Sequence, residues 1–188
     1  RKGDASSCPI VRHQDVKRML LWMKSHVEAM RMLTHLAARS TDIAHHGSVE
    51  EAREACALLE FLIPLCKAGN SYLSWLITGE AIQVYGGAGY CGDYPVEQLA
   101  RDSRILAIWE GTNGIQSMDL AFRKLLLNPD MYNYAMFRKG IAEAIARARG
   151  TTAEPYVPAV ERGLARIDEA HLLFSDARAN KLAHISKN

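Results

Sequence analysis

The chain has 188 residues, room for one domain or slightly more with a sizeable core. Its 23 Lys and Arg against 21 Asp and Glu leave a net charge of +2, which gives no electrostatic footprint for nucleic acid. Ala (26) and Leu (20) far outnumber Val (8), which excludes an all-β fold, and no apolar run approaches the roughly 18 residues of a membrane span.

In chain order, Val16, Leu20, Met23, Val27, Met30, Leu33, Leu36, Ala37 and Ala44 fall at helical spacing, flanked by charges. They predict an amphipathic helix over 14–45. Gly47 ends it, and Ser48 with Glu51 offers a capping box for the next. A second helical stretch over 49–85 carries a broad apolar face: Ala52, Ala55, Cys56, Leu58, Leu59, Leu62, Ile63, Cys66, Leu73, Leu76, Ile77 and Val84. Pro64 removes a helical hydrogen bond and should kink it, with Gly69 a second weak point. Gly86-Gly87-Ala88-Gly89 stops the helix, and 86–95 reads as loop. A short helix follows from Pro95 to about 103, then the apolar run Ile105 to Trp109, then Glu110-Gly111. Thr112 is a good N-cap for a helix to Leu127, which Asn128-Pro129 breaks. Two Ala-rich helices over 131–149 and 156–178 complete an all-α, up-down bundle, with the last ten residues frayed.

The four cysteines form no C-x-x-C pair, so neither a disulfide framework nor a zinc site is expected, and a reducing, cytoplasmic compartment fits. Cys56 and Cys66 read as core residues. The chain starts at Arg1 without a signal-like segment and reads as a piece of a longer protein. Asp42-x-x-His45 and Asp168-x-x-His171 each place a carboxylate and an imidazole on one helix face. No Glu-x-x-His is present, so a di-iron bundle and any other metal site are disfavoured.

Two constellations carry chemistry. Gly86, Gly87 and Gly89 are not G-x-G-x-x-G and follow a helix, so a dinucleotide fold is not indicated. Three glycines in four residues nonetheless exceed what a helix cap requires, leaving close approach of the backbone to a ligand or another chain open. Glu110, at the end of an apolar run and before Gly111, reads either as a loop glutamate or as a partly desolvated carboxylate, a better base near neutrality.

The stretches Gln83-Val84-Tyr85-Gly86-Gly87-Ala88-Gly89-Tyr90, Tyr94-Pro95-Val96-Glu97, Arg101-Asp102 and Ile108-Trp109-Glu110-Gly111-Thr112-Asn113-Gly114-Ile115-Gln116 resemble, in order and spacing, the acyl-CoA dehydrogenase family. The likeness covers residues 1–127 and fits the family's C-terminal helical bundle domain. The tail, 128–188, resembles the start of the helical extension of a bacterial branch that includes methylthiopropanoyl-CoA dehydrogenases. The resemblance implies a flavoenzyme that oxidises an acyl-CoA to its 2,3-enoyl-CoA, with FAD as hydride acceptor and an electron-transfer flavoprotein as partner. It also implies a homodimer or homotetramer in the bacterial cytoplasm. By position, Glu110 matches the catalytic base and Gly111 a residue beside the substrate. Thr112, Asn113 and Gly114 match a stretch against FAD. Gln83, Val84, Tyr85, Gly86 and Gly87 match a loop that reaches the FAD of a neighbouring subunit, as do His13 and Gln14. Trp109 stands where many members have Tyr, and Gly114 where many have Gln, which leaves only backbone there. The family's N-terminal helical and middle β-domains are not in this sequence, so the 188 residues alone should be inactive and hold FAD poorly. The rival reading is a non-catalytic helical oligomerisation module, which would need neither the Glu110 loop nor the Gln83–Gly89 loop.

Overall fold

The computed structural model describes residues 8–185, with side chains through Leu173 and at Asp176. Among the described residues every regular element is helical. In chain order these are α1 (Gln14–His46), α2 (Val49–Pro64), a π-helical segment (Leu65–Gly69) and α3 (Asn70–Tyr85). Then come α4 (Gly87–Tyr90), α5 (Val96–Ile105), α6 (Asn113–Met118) and a second π-helical segment (Asp119–Leu126). The tail forms α7 (Tyr132–Ala148) and α8 (Val157–Ile185).

The all-α expectation holds, and several boundaries move. The stretch 49–85 is helical throughout, as α2, the π segment and α3, and is disturbed directly after Pro64. Pro64 has no N–H to give, and the ladder resumes with one extra residue per turn over Leu65–Gly69 before returning to α at Asn70. The expected helix from Thr112 to Leu127 is α only to Met118 and then π to Leu126. The 86–95 loop contains the single turn α4. The break at Asn128-Pro129 is built from Asp130 and Met131, both at positive φ (53° and 51°), while the Asn128 side chain accepts the Asn133 amide at 2.9 Å. α8 runs to Ile185, beyond the expected 178; of the last ten residues, 186–188 lie outside those described.

The chain forms two compact units: residues up to Leu36 with Leu65–Gly114, and Ala37–Pro64 with Ile115 onward. In the first, α3 lies antiparallel to α5. The pairing is read from three contacts along their length. Arg104 lies over the Trp75 ring, the Thr78 and Ser103 hydroxyls meet at 3.1 Å, and the Tyr85 and Tyr94 rings lie 5.6 Å apart. Val96, Ala100 and Ser103, at i, i+4 and i+7, form the buried face of α5. Cys66 is half-buried, its thiol 3.9 Å from the Leu33 carbonyl, and burial pushes the thiol pKa up.

In the second unit α2 packs on α7. Its buried face is Ala57, Phe61 and Pro64, with Ala55 and Leu62 beside it. Phe61, 2% exposed, packs its ring, tilted, against those of Phe137 (centroids 4.8 Å apart) and Tyr134 (5.6 Å). That face corrects the sequence reading: Cys56 is exposed rather than core, and Ile63 is largely exposed, because the stripe through Phe61 takes the inward side. The Tyr134 hydroxyl donates to Asp168 at 3.0 Å, and Arg138 pairs with the same carboxylate at 3.3 Å, so Asp168 is engaged in packing. Burial, reinforced by Asp168, pushes the Tyr134 pKa up to about 12. Lys124, 6% exposed, is neutralised by Glu60, with Asp119 at 3.8 Å. The capping box forms as expected, the Ser48 amide donating to Glu51 at 2.9 Å and the Glu51 amide lying 3.4 Å from the Ser48 hydroxyl. The Ser48 hydroxyl also donates to the Glu51 carboxylate, at 2.7 Å, and this bond with that from the Ser48 amide holds Glu51 below its ordinary pKa.

Candidate active site

α5 ends at Ile105, and the chain makes a compact loop before α6 begins at Asn113. The first turns are tight: Ile108 N–H donates to the Ile105 carbonyl at 2.9 Å, and Trp109 N–H to the same carbonyl at 3.2 Å. The loop is then closed on itself, because the Asn113 amide donates to the Ala107 carbonyl at 3.1 Å. Closing so few residues forces the tip into the left-handed region, with Glu110 at φ 48° and Gly111 at φ 87°. Glycine adopts that conformation freely; for glutamate it is strained. Strain of this kind persists where surrounding structure over-determines it, and it gathers at functional sites.

Glu110 is exposed at this tip. The expectation that the apolar run buries it is not met here. Ile108 and Trp109 are themselves 52% and 51% exposed, since the turns after α5 point them outward. The result is a carboxylate on a shelf of uncovered apolar surface. Among the described residues nothing pairs with the Glu110 side chain or takes its amide N–H.

The Asn113 side chain is engaged within the chain. Its Oδ1 accepts from the Ser71 hydroxyl at 2.9 Å, and its Nδ2 donates to the Ala68 carbonyl at 3.3 Å. The side-chain amide therefore ties the loop to the start of α3. At the loop's other end the Lys67 ammonium donates to the Leu106 carbonyl. No sequence motif marks Ser71 or Lys67. Thr112 and Gly114 are exposed, and a Cβ at Gly114 would meet only the Thr112 hydroxyl, at 3.7 Å.

The three glycines after α3 separate by role. Gly86 sits at φ 65°, a helix-ending conformation that suits glycine. Gly89 is buried, and a Cβ there would lie 2.6 Å from Tyr85 Cβ and 2.9 Å from the Ile82 carbonyl. Gly87 has neither reason: its φ is ordinary for any residue, and a Cβ would meet nothing within 4 Å. It offers open backbone. Gln83 and Tyr85 are exposed beside it, with Val84 half-buried. His13 and Gln14 are also exposed, His13 opening α1 by accepting the Lys17 amide at 3.1 Å.

The antiparallel α3–α5 pair sets the spacing between these groups. The Glu110 loop lies at the end of α3 that begins with Asn70, and Gln83–Gly87 lies at the other. Sixteen residues at 1.5 Å each put the two ends ~24 Å apart. Glu110, Gly111, Thr112, Asn113 and Gly114 are together, and Gln83–Gly87 are not with them.

The acyl-CoA dehydrogenase C-terminal domain pattern matches residues 1–125. The chain belongs to the acyl-CoA dehydrogenase family. It is 42% identical over 139 residues to a butyryl-CoA dehydrogenase of Syntrophomonas wolfei, covering 73% of this chain and 22% of that protein. Another match to a butyryl-CoA dehydrogenase of the same organism is 34% identical over 185 residues, 97% of this chain and 29% of the relative. A 3-methylmercaptopropionyl-CoA dehydrogenase of Ruegeria pomeroyi is 35% identical over 175 residues, 93% of this chain and 29% of that protein. The chain thus spans less than a third of the length of these curated relatives. No helix among the described residues is long and apolar enough to cross a membrane.

Proposed function

We propose that this chain supplies the catalytic base of an acyl-CoA dehydrogenase, oxidising an acyl-CoA to the 2,3-enoyl-CoA. The observation that carries the reading is the strained, unpaired Glu110 at the tip of a closed loop, flanked by exposed Ile108 and Trp109. Among the described residues no side chain or backbone donor engages the Glu110 carboxylate, so its oxygens stand open to a substrate. Glu110 takes the α-proton of the thioester. An acyl chain lying against Ile108 and Trp109 strips water from the carboxylate and strengthens it as a base. The Glu110 amide, without an acceptor among the described residues, donates to the thioester carbonyl as enolate charge develops, an oxyanion-hole role. Gly111 keeps side-chain bulk away from the substrate.

FAD would supply the acceptor for the β-hydride, with an electron-transfer flavoprotein as the onward electron partner, and Thr112, Asn113 and Gly114 would help to hold it. Gly87, with Gln83, Val84, Tyr85, Gly86, His13 and Gln14, serves the flavin of a neighbouring subunit. The separation of the two loops along α3 supports this division, because one copy does not bring both to one place. A homodimer or dimer of dimers completes each site. Residues 1–127 form the family's bundle domain and 128–188 a helical extension; the matches covering 93% and 97% of the chain support including the tail. The domains that hold most of the flavin lie outside these 188 residues, so the isolated chain is inactive. A stretch of 2,3-oxidisable short acyl-CoA, with butyryl-CoA as the first probe, is the expected substrate class.

The test is Glu110→Gln in the full-length enzyme, with flavin bleaching by butyryl-CoA followed in a stopped-flow instrument. Gln keeps shape and polarity and deletes the basic oxygen. The expected result is retained FAD and acyl-CoA binding with reduction slowed ~10²–10⁴-fold or more. Reduction near the wild-type rate would remove Glu110 from the chemistry.

A further inference from the structure

We propose that the π segment Leu65–Gly69 and the first turn of α3 form a platform that aims the Glu110 loop, with Lys67 and Ser71 as its positioning residues. The inference rests on the reading of Glu110 as the base.

The loop from Leu106 to Asn113 is held at both ends by this one short stretch. Lys67 covers the Leu106 carbonyl, where the α5 ladder has run out. Ser71, buried, has a single hydroxyl proton and two acceptors in reach, Asn113 Oδ1 at 2.9 Å and the Ala68 carbonyl at 3.1 Å. With the proton on Asn113 Oδ1, Asn113 Nδ2 is the donor that covers Ala68, so the three groups satisfy one another in a single arrangement. Between the two anchors the Asn113–Ala107 hydrogen bond closes the loop. Neither Lys67 nor Ser71 pairs with Glu110. What they fix is where the loop starts and stops, and so the φ of 48° that presents the carboxylate.

Lys67 and Ser71, four residues apart, share one face of this stretch, and the Ala68 carbonyl beside them accepts from Asn113, so all three reach the loop.

The experiment uses the full-length, flavin-loaded enzyme with butyryl-CoA, comparing Ser71→Ala and Lys67→Met with Ser71→Thr, Lys67→Arg and Glu110→Gln. A base displaced by a fraction of an ångström to one ångström loses proton-transfer rate while the binding surfaces stay. Ser71→Ala and Lys67→Met are expected to slow single-turnover flavin reduction about 10- to 100-fold. Flavin content and KM stay near wild type, and the isotope effect on α-deuterated butyryl-CoA increases. Ser71→Thr and Lys67→Arg, which keep the hydroxyl and the cation, restore most of the rate. The proposal is overturned if Ser71→Ala and Lys67→Met reduce at the wild-type rate, or if their loss follows flavin loss, while Glu110→Gln is inert; the base reading then survives alone. If Glu110→Gln itself reduces normally, the base reading fails and the positioning role falls with it.

Discussion

The left-handed backbone at Glu110 can be weighed without reference to catalysis, by comparing Glu110→Gly with Glu110→Ala. Both variants delete the carboxylate, so they differ only in how the backbone tolerates φ 48°. For an L residue that conformation costs roughly 1–2 kcal/mol, which glycine does not incur. Against this, glycine loses more backbone freedom on folding, about 0.5–1 kcal/mol relative to alanine. The balance leaves the glycine variant more stable by about 0.5–1 kcal/mol, the reverse of the order at an ordinary loop position. Urea titrations of the two variants measure it, with equal slopes confirming that the unfolded states are comparable. The wild type should fall with the alanine variant rather than the glycine one, since its own side chain stands exposed and unpaired. An alanine variant as stable as the glycine variant would refute the claim that loop closure strains the tip.

Gly89→Ala forces a Cβ within 2.6 Å of Tyr85 Cβ and 2.9 Å of the Ile82 carbonyl, neither the free end of a flexible chain, and should cost about 1–3 kcal/mol in a thermal melt; an unchanged Tm would show that the end of α3 relaxes freely. Tyr134 predicts a pH dependence. Its pKa, pushed up to about 12, means the fold favours the neutral phenol; the stability it contributes is complete below the ordinary tyrosine value near 10 and declines as pH rises from there towards about 12. Tyr134→Phe should therefore lose stability at neutral pH and show a shallower decline over that alkaline window, read from urea midpoints; parallel pH profiles for the two proteins would be the contrary result.

The helices were legible because their apolar spacing and caps are local. α1 begins and ends where Val16 to Ala44 and Gly47 place it, and Ser48 and Glu51 form the box their types require. The buried face of α2 was misassigned because its periodicity admits two stripes. Phe61 prevails through its rings against Tyr134 and Phe137, partners more than seventy residues away that local pattern does not reveal. Pro64 signalled a disturbance, but the π turn that follows it, with the Ala68 carbonyl taken by Asn113 from far along the chain, is not written in the local sequence. The Glu110 motif itself was readable from its residues. Its strain was not, because a positive φ on glutamate is imposed by the closure between Ala107 and Asn113 rather than by the residue's own preference. Ser71 and Lys67 resembled ordinary helix residues, and only the three-dimensional pairing distinguishes them.

The two ends of α3 also bear on how damage spreads through an assembly. If each flavin lies between the Glu110 end of one copy and the Gly87 end of another, then a lesion at either end of a chain spoils a different centre from a lesion at the other. Two chains defective at opposite ends, assembled together, place both defects in one centre and leave its counterpart intact. Alleles that are each inactive can then restore activity to one another, whereas two alleles altered within the same loop cannot. The ~24 Å length of a sixteen-residue helix thereby becomes a genetic distance, separating one polypeptide into two independently complementing parts.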